Sequence, residues 1–442
     1  MIYAAVFRVF GESVRTANST VLILGFGLTI VCYLLAKSLM DSVMALLTSL
    51  IFILLPYSDE FDGTHHWFST LLIMVAILLL FSGRSNLRIV MAAIMIGIAT
   101  FFTQTAGAMA LTTCAASFIC ERWIVEVQWK HLALRLFLLF VGAASSWYLL
   151  SRHFILVAGW HRYWYFQVVY PERYVKLPEG FLYLGFAPFH GPRATLAFLE
   201  HLWAYLVLLL VYPCLLLFLV RRRRFLSSQT MPLILLAFMG SGLMLEVITR
   251  LNWNRINAAI MPALIIGMWM LNHIRARRLI IPLCWCLLIC LAAGLTVSAQ
   301  HMHHQCIVHL PTGAVLLPED RAEEAKWIAQ HTSPGDEFFD VGDVRFYLAL
   351  QLSEPGPVDM FYTSEITRPE WVLETISLLE RDHVRYLLWE PTRALQNVDD
   401  KPASEADHLG PMREFVRAHF IRIKTFRNKD QIWERLDDHH HL

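Results

Sequence analysis

Apolar runs long enough to cross a bilayer recur from Thr20 to Val297, separated by short polar connections. Their pattern predicts helices over Thr20–Ala36, Ser42–Tyr57, Trp67–Phe81, Ile89–Phe102 and Ala106–Ile119 in the first part of the chain. Leu132–Leu150, Ala194–Val220, Met231–Ile248, Asn257–Leu271 and Leu279–Val297 continue the series. Several are shorter than the ~20 residues that a perpendicular helix needs. The fourth and fifth read either as two helices or as one bent helix broken at Thr103-Gln104-Thr105. Before the first run, Met1–Phe10 is amphipathic with Arg8 interrupting it, which suits a helix lying in the membrane interface.

After Ser298 the pattern changes. Gly313–Pro318 reads as a strand, Arg321–His331 as a helix and Ser333–Asp336 (SPGD) as a turn. Glu337–Val341 and Val384–Trp389 read as strands with a helix at Pro369–Arg381 between them. Pro411–His419 is a further helix, followed by strands near Ile421–Phe426 and Gln431–Arg435. Strands alternating with helices imply a small α/β layer domain. The predicted architecture is therefore an all-α polytopic membrane bundle of about ten helices over residues 1–299, an α/β domain over 300–436, and a disordered tail over 437–442.

Composition supports the membrane reading. Of 442 residues, 56% are apolar and only 17% are charged, against about 25% charged in ordinary soluble domains. Mean hydropathy is +0.48. A net charge of +1 creates no basic field, so nucleic acid is not an expected partner. The sequence contains neither a GxGxxG stretch nor a P-loop, so nucleotide binding has no support. Seven of the eight cysteines lie in or beside apolar runs, where a thiol acts as a small hydrophobe; Cys306 has no partner nearby.

Basic residues orient the bundle. Arg221–Arg224 and the Arg275, Arg277, Arg278 cluster mark cytoplasmic connections, two spans apart. Alternating outward from them puts Lys37, Arg84, Arg88 and Lys130 inside. Tyr57–His66, Ala158–Arg193, Thr249–Arg255 and everything after Ser298 fall outside. The N-terminus also falls outside with nothing before Thr20 to carry it across, so the topology expects a preceding span upstream of Met1.

Three external clusters carry candidate chemistry, because ionisable groups near a bilayer are expensive. The first holds Asp59, Glu60, Asp62, His65 and His66. Its carboxylates could supply a general base or hold a divalent metal, and the same residues also suit a solvated loop. His65 and His66 are adjacent, which is poor geometry for joint chelation. The second holds Glu246, Arg250 and Arg255 with three Asn. Glu246 and Arg250 can pair at a helix end, and the two guanidiniums suit a phosphate as well as they suit interfacial anchoring. The third is the aromatic stretch around Tyr163 and Trp164, whose rings fit either a headgroup-level belt or a sugar face. Arg15 is a further external Arg at a helix start. Gln104 lies in a polar interruption that must be buried in protein or line a wet cavity.

These segments, in this order, resemble a known family. Tyr3–Arg15 (YAAVFRVFGESVR) is similar to the stretch after the first external loop of the GT-C superfamily. The closer likeness is to bacterial lipid-linked-sugar glycosyltransferases related to protein mannosyltransferases and lipid A aminoarabinose transferase. Gly97–Gly107 (GIATFFTQTAG) is similar to the family's glycine–threonine–lysine–glycine helix break, with Thr103 or Gln104 at the lysine. Phe166–Tyr174 resembles its external loop after the middle spans, and Asn254-Arg255 with Pro262 resembles an arginine-then-proline motif before a late span. SPGDEFF at Ser333, VRYLLWE at Val384 and QIWE at Gln431 resemble the terminal domain of one branch. The resemblance covers nearly the whole chain.

The resemblance implies a polyprenyl-phosphate-linked sugar as donor, an external active site and a lipid, glycan or protein acceptor, in a bacterial cytoplasmic membrane. It gives Arg255, with Arg250 and then Arg15, the donor phosphate. Asp59, Glu60 and Asp62 are candidate carboxylates, with Glu246, Gln104, Tyr163, Trp164, His65 and His66 around the cavity. The family's catalytic carboxylate follows its first span, so the resemblance places it upstream of this sequence and expects the chain as it stands to be inactive. No cofactor is specified beyond a divalent metal at the acidic loop. A non-catalytic lipid-linked-glycan binder or assembly subunit is the principal alternative. A transporter ranks below it, because the sequence shows no internal repeat and its charges sit at the external edge.

Overall fold

The computed structural model describes residues 2–57, 63–170, 210–219, 230–249, 253–273, most of 302–436, and single positions between 221 and 296. Within 302–436 the segments 304, 359, 364–366, 392–396 and 401–406 are not described, and neither is the expected tail. The chain forms two compact units. One comprises Val21–Gln167 and Leu177–Ala293; the other comprises Met1–Thr20, Val168–Lys176 and Gly294–Leu442.

The first unit is a helical bundle. Helix α1 (Ile2–Phe10) precedes α2 (Val14–Lys37), whose residues from Val21 onward belong to the bundle. Then follow α3 (Ser42–Phe52), α4 (His65–Phe81), α5 (Asn86–Phe102), α6 (Gln104–Val125), α7 (Trp129–Ala158) and the short α8 (Trp160–Trp164). Later come α9 (Leu210–Leu219), α10 (Met231–Thr249) and α11 (Trp253–His273). Each matches an apolar run of the sequence, except that α1 and α8 lie outside those runs. Three helices, Val14–Lys37, Gln104–Val125 and Trp129–Ala158, are long and apolar enough to cross a membrane; the other apolar helices are shorter. The tenth expected span, Leu279–Val297, falls largely outside the described residues.

Local signals explain the helix ends. Asp41 accepts the N–H groups of Val43 and Met44 at the start of α3, and Ser85 accepts that of Arg88 at the start of α5. The outer surface of the bundle is apolar: Ile23 and Phe26 on α2 and Leu149 on α7 are about two-thirds or more exposed. In water that pattern would be a liability, but in lipid it is the expected face. The protein is a multi-pass membrane protein.

The other unit contains the α/β domain. A hairpin of β1 (Gln305–Leu310) and β2 (Gly313–Pro318) stands beside a four-stranded sheet of order β3 (Phe338–Asp340), β4 (Tyr386–Trp389), β6 (Gln431–Arg435), β5 (Phe420–Thr425). Strands β3 and β4 run parallel; the remaining pairs are antiparallel. Helices α12 (Glu319–His331) and α13 (Arg345–Leu350) share one core with Phe338, Tyr386, Leu388 and Ile432. Helices α14 (Pro369–Arg381) and α15 (Gly410–His419) share the opposite core with Phe339, Leu387, Trp389 and Trp433. The sheet is thus covered on both faces, which is why Tyr386–Trp389 is buried throughout and shows no alternation. Strand β2, by contrast, alternates half-buried and exposed positions. The SPGD turn forms as expected: Gly335 has φ +91°, and the Asp336 carboxylate accepts the Ser333 N–H at 2.7 Å.

Candidate functional site at one end of the bundle

The helix break at Thr103 organises one end of the bundle. The chain forms two helices rather than one bent one, with a single extended residue between them (φ −141°, ψ 99°). Ser69, in the second turn of α4, donates to the Thr103 hydroxyl at 2.8 Å and reaches the Ala99 carbonyl at 3.3 Å. The reversal is so tight that a Cβ on Gly107 would overlap the Thr100 side chain and backbone. A Cβ on Gly97 would likewise overlap Ser146 and the Ala143 carbonyl of α7. Both glycines are needed because two backbones meet there.

Two π-turns open onto the same end. The turn Ile53–Tyr57 delivers Tyr57, whose hydroxyl donates to the Val21 carbonyl at 2.7 Å and whose ring meets Trp67 edge-on at 5.0 Å. The turn Tyr165–Val169 delivers Gln167, which bonds the exposed Gln104. Such turns change side-chain direction without ending a helix.

Helices α10 and α11 follow the same polarity. Thr113 of α6 donates to Met239 at 3.4 Å, and a Cβ on Gly242 would come within 2.5 Å of Thr113 and 3.6 Å of the Met109 carbonyl. As α10 advances, its partners in α6 retreat toward Gln104, so the two helices are antiparallel. A Cβ on Gly240 would lie 2.9 Å from Pro262 of α11, about as far from the end of α10 as Pro262 is from the start of α11. The last turn of α10, containing Glu246, and the first turn of α11, containing Arg255, therefore lie at the Thr103 end of the bundle.

The opposite end is basic. Arg84 and Arg135 both pair with Glu121, the latter at 3.0 Å, while Arg84 lies over Phe118 and Arg122 over Trp129.

Of the expected site residues, Asp59, Glu60, Asp62 and Arg250 lie outside the described residues. Their flanks do not: Tyr57 and His65 both belong to the Thr103 end through Trp67 and Ser69. His65 is exposed and His66 half-buried, with ring centroids 4.1 Å apart. Tyr163 turns inward and donates to Ser151 at 3.0 Å, whereas Trp164 is half-exposed and stacks on Trp160 at 6.0 Å. Arg15 is exposed in the first turn of α2 and falls in the other compact unit. The backbone thus brings the last turn of α10, the first turn of α11 and the flanks of 58–62 to one end of a frame of tightly packed helices, while the side chains of Glu246 and Arg255 lie outside what the structure describes.

No family model matches the sequence, and no curated protein matches it. Among solved structures, the chain is similar to the apo oligosaccharyltransferase of Archaeoglobus fulgidus, with a TM-score of 0.46 and 11% identity over 85% of this chain and 59% of that one. It is also similar to the same organism's oligosaccharyltransferase AglB in complex with an inhibitory peptide and a dolichol-phosphate (TM-score 0.47, 12% identity, 88% and 60% covered). ArnT from Cupriavidus metallidurans bound to undecaprenyl phosphate gives a TM-score of 0.42 and 14% identity over 97% of this chain and 85% of that one. The chain spans about three-fifths of the length of the archaeal oligosaccharyltransferase.

Sequence reasoning missed a second constellation, in the α/β domain. Arg321 Nη1 contacts Glu324 at 2.8 Å, Glu390 at 2.9 Å and Asp430. Arg345 reaches Glu390 at 3.0 Å and Asp343 at 2.5 Å. Burial and the neighbouring Glu324 push Asp430 up to about 7. Burial and Glu390 hold Asp340 well above the usual carboxylate range. The available signal was a carboxylate directly after an all-apolar strand, as at Glu390, but its neighbours come from three distant segments.

A pH dependence follows. The folded domain retains a proton on Asp430 between about 3.8 and 7 that the unfolded chain releases. Its contribution to stability is full below the lower value and is lost as pH rises through the upper one. Hydrogen exchange in the strands β4 and β6 is expected to be slower at pH 5.5 than at pH 8 after correction for intrinsic rates, and Asp430→Asn should flatten the difference. Faster corrected exchange at the lower pH would contradict the assignment.

Proposed function

We propose that this protein is a GT-C-type membrane glycosyltransferase that moves a sugar from a polyprenyl-phosphate donor to an extracytoplasmic acceptor. The observation that supports this most is the polarity of the bundle. The flanks of the acidic connection 58–62, the helix break at Thr103 and the first turn of α11 share one end, and the half-buried arginines paired with Glu121 occupy the other.

The chemistry needs a base and a phosphate clamp. In this reading Arg255, with Arg250, holds the donor phosphate, where guanidinium geometry suits two phosphate oxygens. A carboxylate among Asp59, Glu60 and Asp62 takes the proton from the acceptor as the acceptor atom bonds the anomeric carbon. The bond from that carbon to the phosphate oxygen breaks, and its electron pair leaves with the lipid phosphate. The same carboxylates are the hard oxygen donors that a divalent cation would take. The exposed Trp160–Trp164 pair offers an apolar face for a sugar or for lipid headgroups. In this reading the end faces outward from a bacterial cytoplasmic membrane, as the α/β domain does, and the positive-inside distribution of the arginines supports it.

Reconstituted protein supplied with synthetic polyprenyl-phosphate sugars and native membrane extract as acceptor tests the reading. Sugar transfer, measured as labelled product, is expected if Asp59, Glu60 or Asp62 supplies the base, whereas a base supplied from outside this sequence predicts donor binding without transfer. If the protein neither transfers sugar nor binds the donor while ArnT is active under the same conditions, the reading fails. Gln104→Ala, which removes only the link to Gln167, should lower transfer less than tenfold while leaving the thermal unfolding midpoint within a few degrees.

A further inference from the structure

Helix α2 shows where the bilayer begins. Over its first half the exposed residues are Arg15, Asn18, Ser19, Leu22, Ile23 and Phe26, spaced by three and four and so on one face. The opposite face carries Val21, Leu24 and Leu28, which are 8%, 3% and 0% exposed. The exposed face is polar as far as Ser19 and apolar from Leu22 onward, where Leu22, Ile23 and Phe26 are 59%, 72% and 68% exposed. A change from Arg, Asn and Ser to Leu, Ile and Phe along one uncovered face marks the passage from headgroups to hydrocarbon. Arg15 precedes Leu22 by about 10 Å along the axis, which sets it in the headgroup layer. It stands on the lipid side of α2, away from the face that packs into the bundle.

Helix α1 is bound to the same level by a short connection. Only Gly11, Glu12 and Ser13 separate it from α2. Gly11, at φ +85°, ends α1 with its N–H donating to the Phe7 carbonyl at 2.8 Å, and Ser13 Oγ opens α2 by accepting the Thr16 N–H at 3.1 Å. Four Cα steps keep Phe10 within about 14 Å of Val14. Val14 itself is held from the other side: it packs against the core of the β1–β2 hairpin, and a Cβ on Gly313 would lie 3.9 Å from it.

The composition of α1 does not suit water. Arg8 is its one charged residue, none of its residues is buried, and Val9 and Phe10 are 73% and 74% exposed. It joins neither core of the unit to which it belongs. A helix of nine residues with no core to pack on is not stable by itself in water, and it needs an apolar surface. Arg8 and Arg15 are exposed, and neither pairs with a carboxylate among the described residues; the exposed Glu12 lies between them in the chain.

We propose that α1 and the first turn of α2 form a lipid-docking surface, with Val9 and Phe10 entering the bilayer and Arg8 and Arg15 meeting the phosphates of anionic lipids. The occupant is the bilayer because the exposed face of α2 runs without interruption from Arg15 into the residues that face hydrocarbon. Guanidiniums on long stems reach the phosphate layer while their methylenes stay with apolar neighbours. Through Val14 the same surface fixes the β1–β2 hairpin near the membrane. Arg15 then serves bulk lipid and not the donor phosphate. This inference stands independently of the transfer reading.

Full-length protein in nanodiscs of mixed phosphatidylcholine and phosphatidylglycerol tests this, with a nitroxide on single cysteines replacing Val9, Phe10, Leu22 or Arg417 in a cysteine-free background. Labels at Val9 and Phe10 are expected to meet oxygen in preference to a water-soluble nickel complex, as the label at Leu22 does. The label at Arg417, exposed on α15, should show the reverse. Arg8→Glu with Arg15→Glu should raise nickel access at Val9 about threefold or more while leaving Leu22 unchanged, and the rise should shrink in phosphatidylcholine alone. A Phe10 label as open to nickel as the Arg417 label would overturn the proposal. So would protection from both reagents with spin–spin broadening, which means a second copy of the chain, or a double variant that leaves Val9 unchanged.

Discussion

Replacing Arg255 by alanine is expected to reduce sugar transfer by a factor of about 30 to several thousand, because removing one partner of a desolvated charge pair costs about 2–5 kcal/mol. The loss should appear in the affinity for the donor phosphate, measured with a non-transferable polyprenyl phosphate, and not only in turnover. Arg255→Lys keeps the charge but loses the planar fork, so it should recover part of the binding and not all of it. An arginine that merely anchors the start of α11 in the interface gives a different result. Its replacement would lower the unfolding temperature and leave phosphate affinity unchanged. Measuring both quantities on the same preparations separates the two roles.

The second large effect is expected at Gly107. A valine there would drive its Cβ into Thr100, including backbone that cannot move aside. Overpacking of this kind costs about 1–3 kcal/mol, and the effect at a backbone-to-backbone contact belongs at the upper end. The functional loss should exceed the stability loss, because Gly107 fixes where Thr103 and Gln104 emerge. Gly97→Val, which overlaps the α7 backbone, should destabilise to a similar degree while leaving the Thr103 turn itself intact. Thermal unfolding and transfer assays on both variants check this. Equal losses of transfer from the two, at equal stability, would remove the special role assigned to the Thr103 end.

The helices of the bundle were legible because an apolar run next to a polar break is a strong, local signal. Trp67–Phe81 starts two residues after α4 and ends with it, and Met231–Ile248 starts with α10 and ends one residue before it. In the α/β domain Gly313–Pro318, Pro369–Arg381 and Gln431–Arg435 coincide with the observed elements. Strand β1 escaped because it follows the last apolar run without a turn signal, and α13 escaped because six residues are too few for a helical period to show. The π-turns were invisible for a related reason: one added residue per turn leaves composition unchanged. The resemblance marked Gly97 and Gly107 as a motif, but the reason each must lack a side chain appears only when α5, α6 and α7 are packed. The cluster around Arg321 was hidden most completely. Glu324, Glu390 and Asp430 are far apart in the chain and meet only when α12 packs on the register of β4 and β6.

The central claim is that the acidic connection around Asp59 and the start of α11 at Arg255 open to one compartment, and that Arg84 and Lys130 open to the other. Single cysteines introduced at Asp59, Asn252, Arg84 and Lys130 in a cysteine-free background can be labelled on intact cells with a membrane-impermeant maleimide. The account predicts labelling at Asp59 and Asn252 before lysis, and at Arg84 and Lys130 only afterwards. Labelling of Asp59 and Asn252 from opposite sides would leave the carboxylates and the phosphate clamp no shared chamber, and would contradict it.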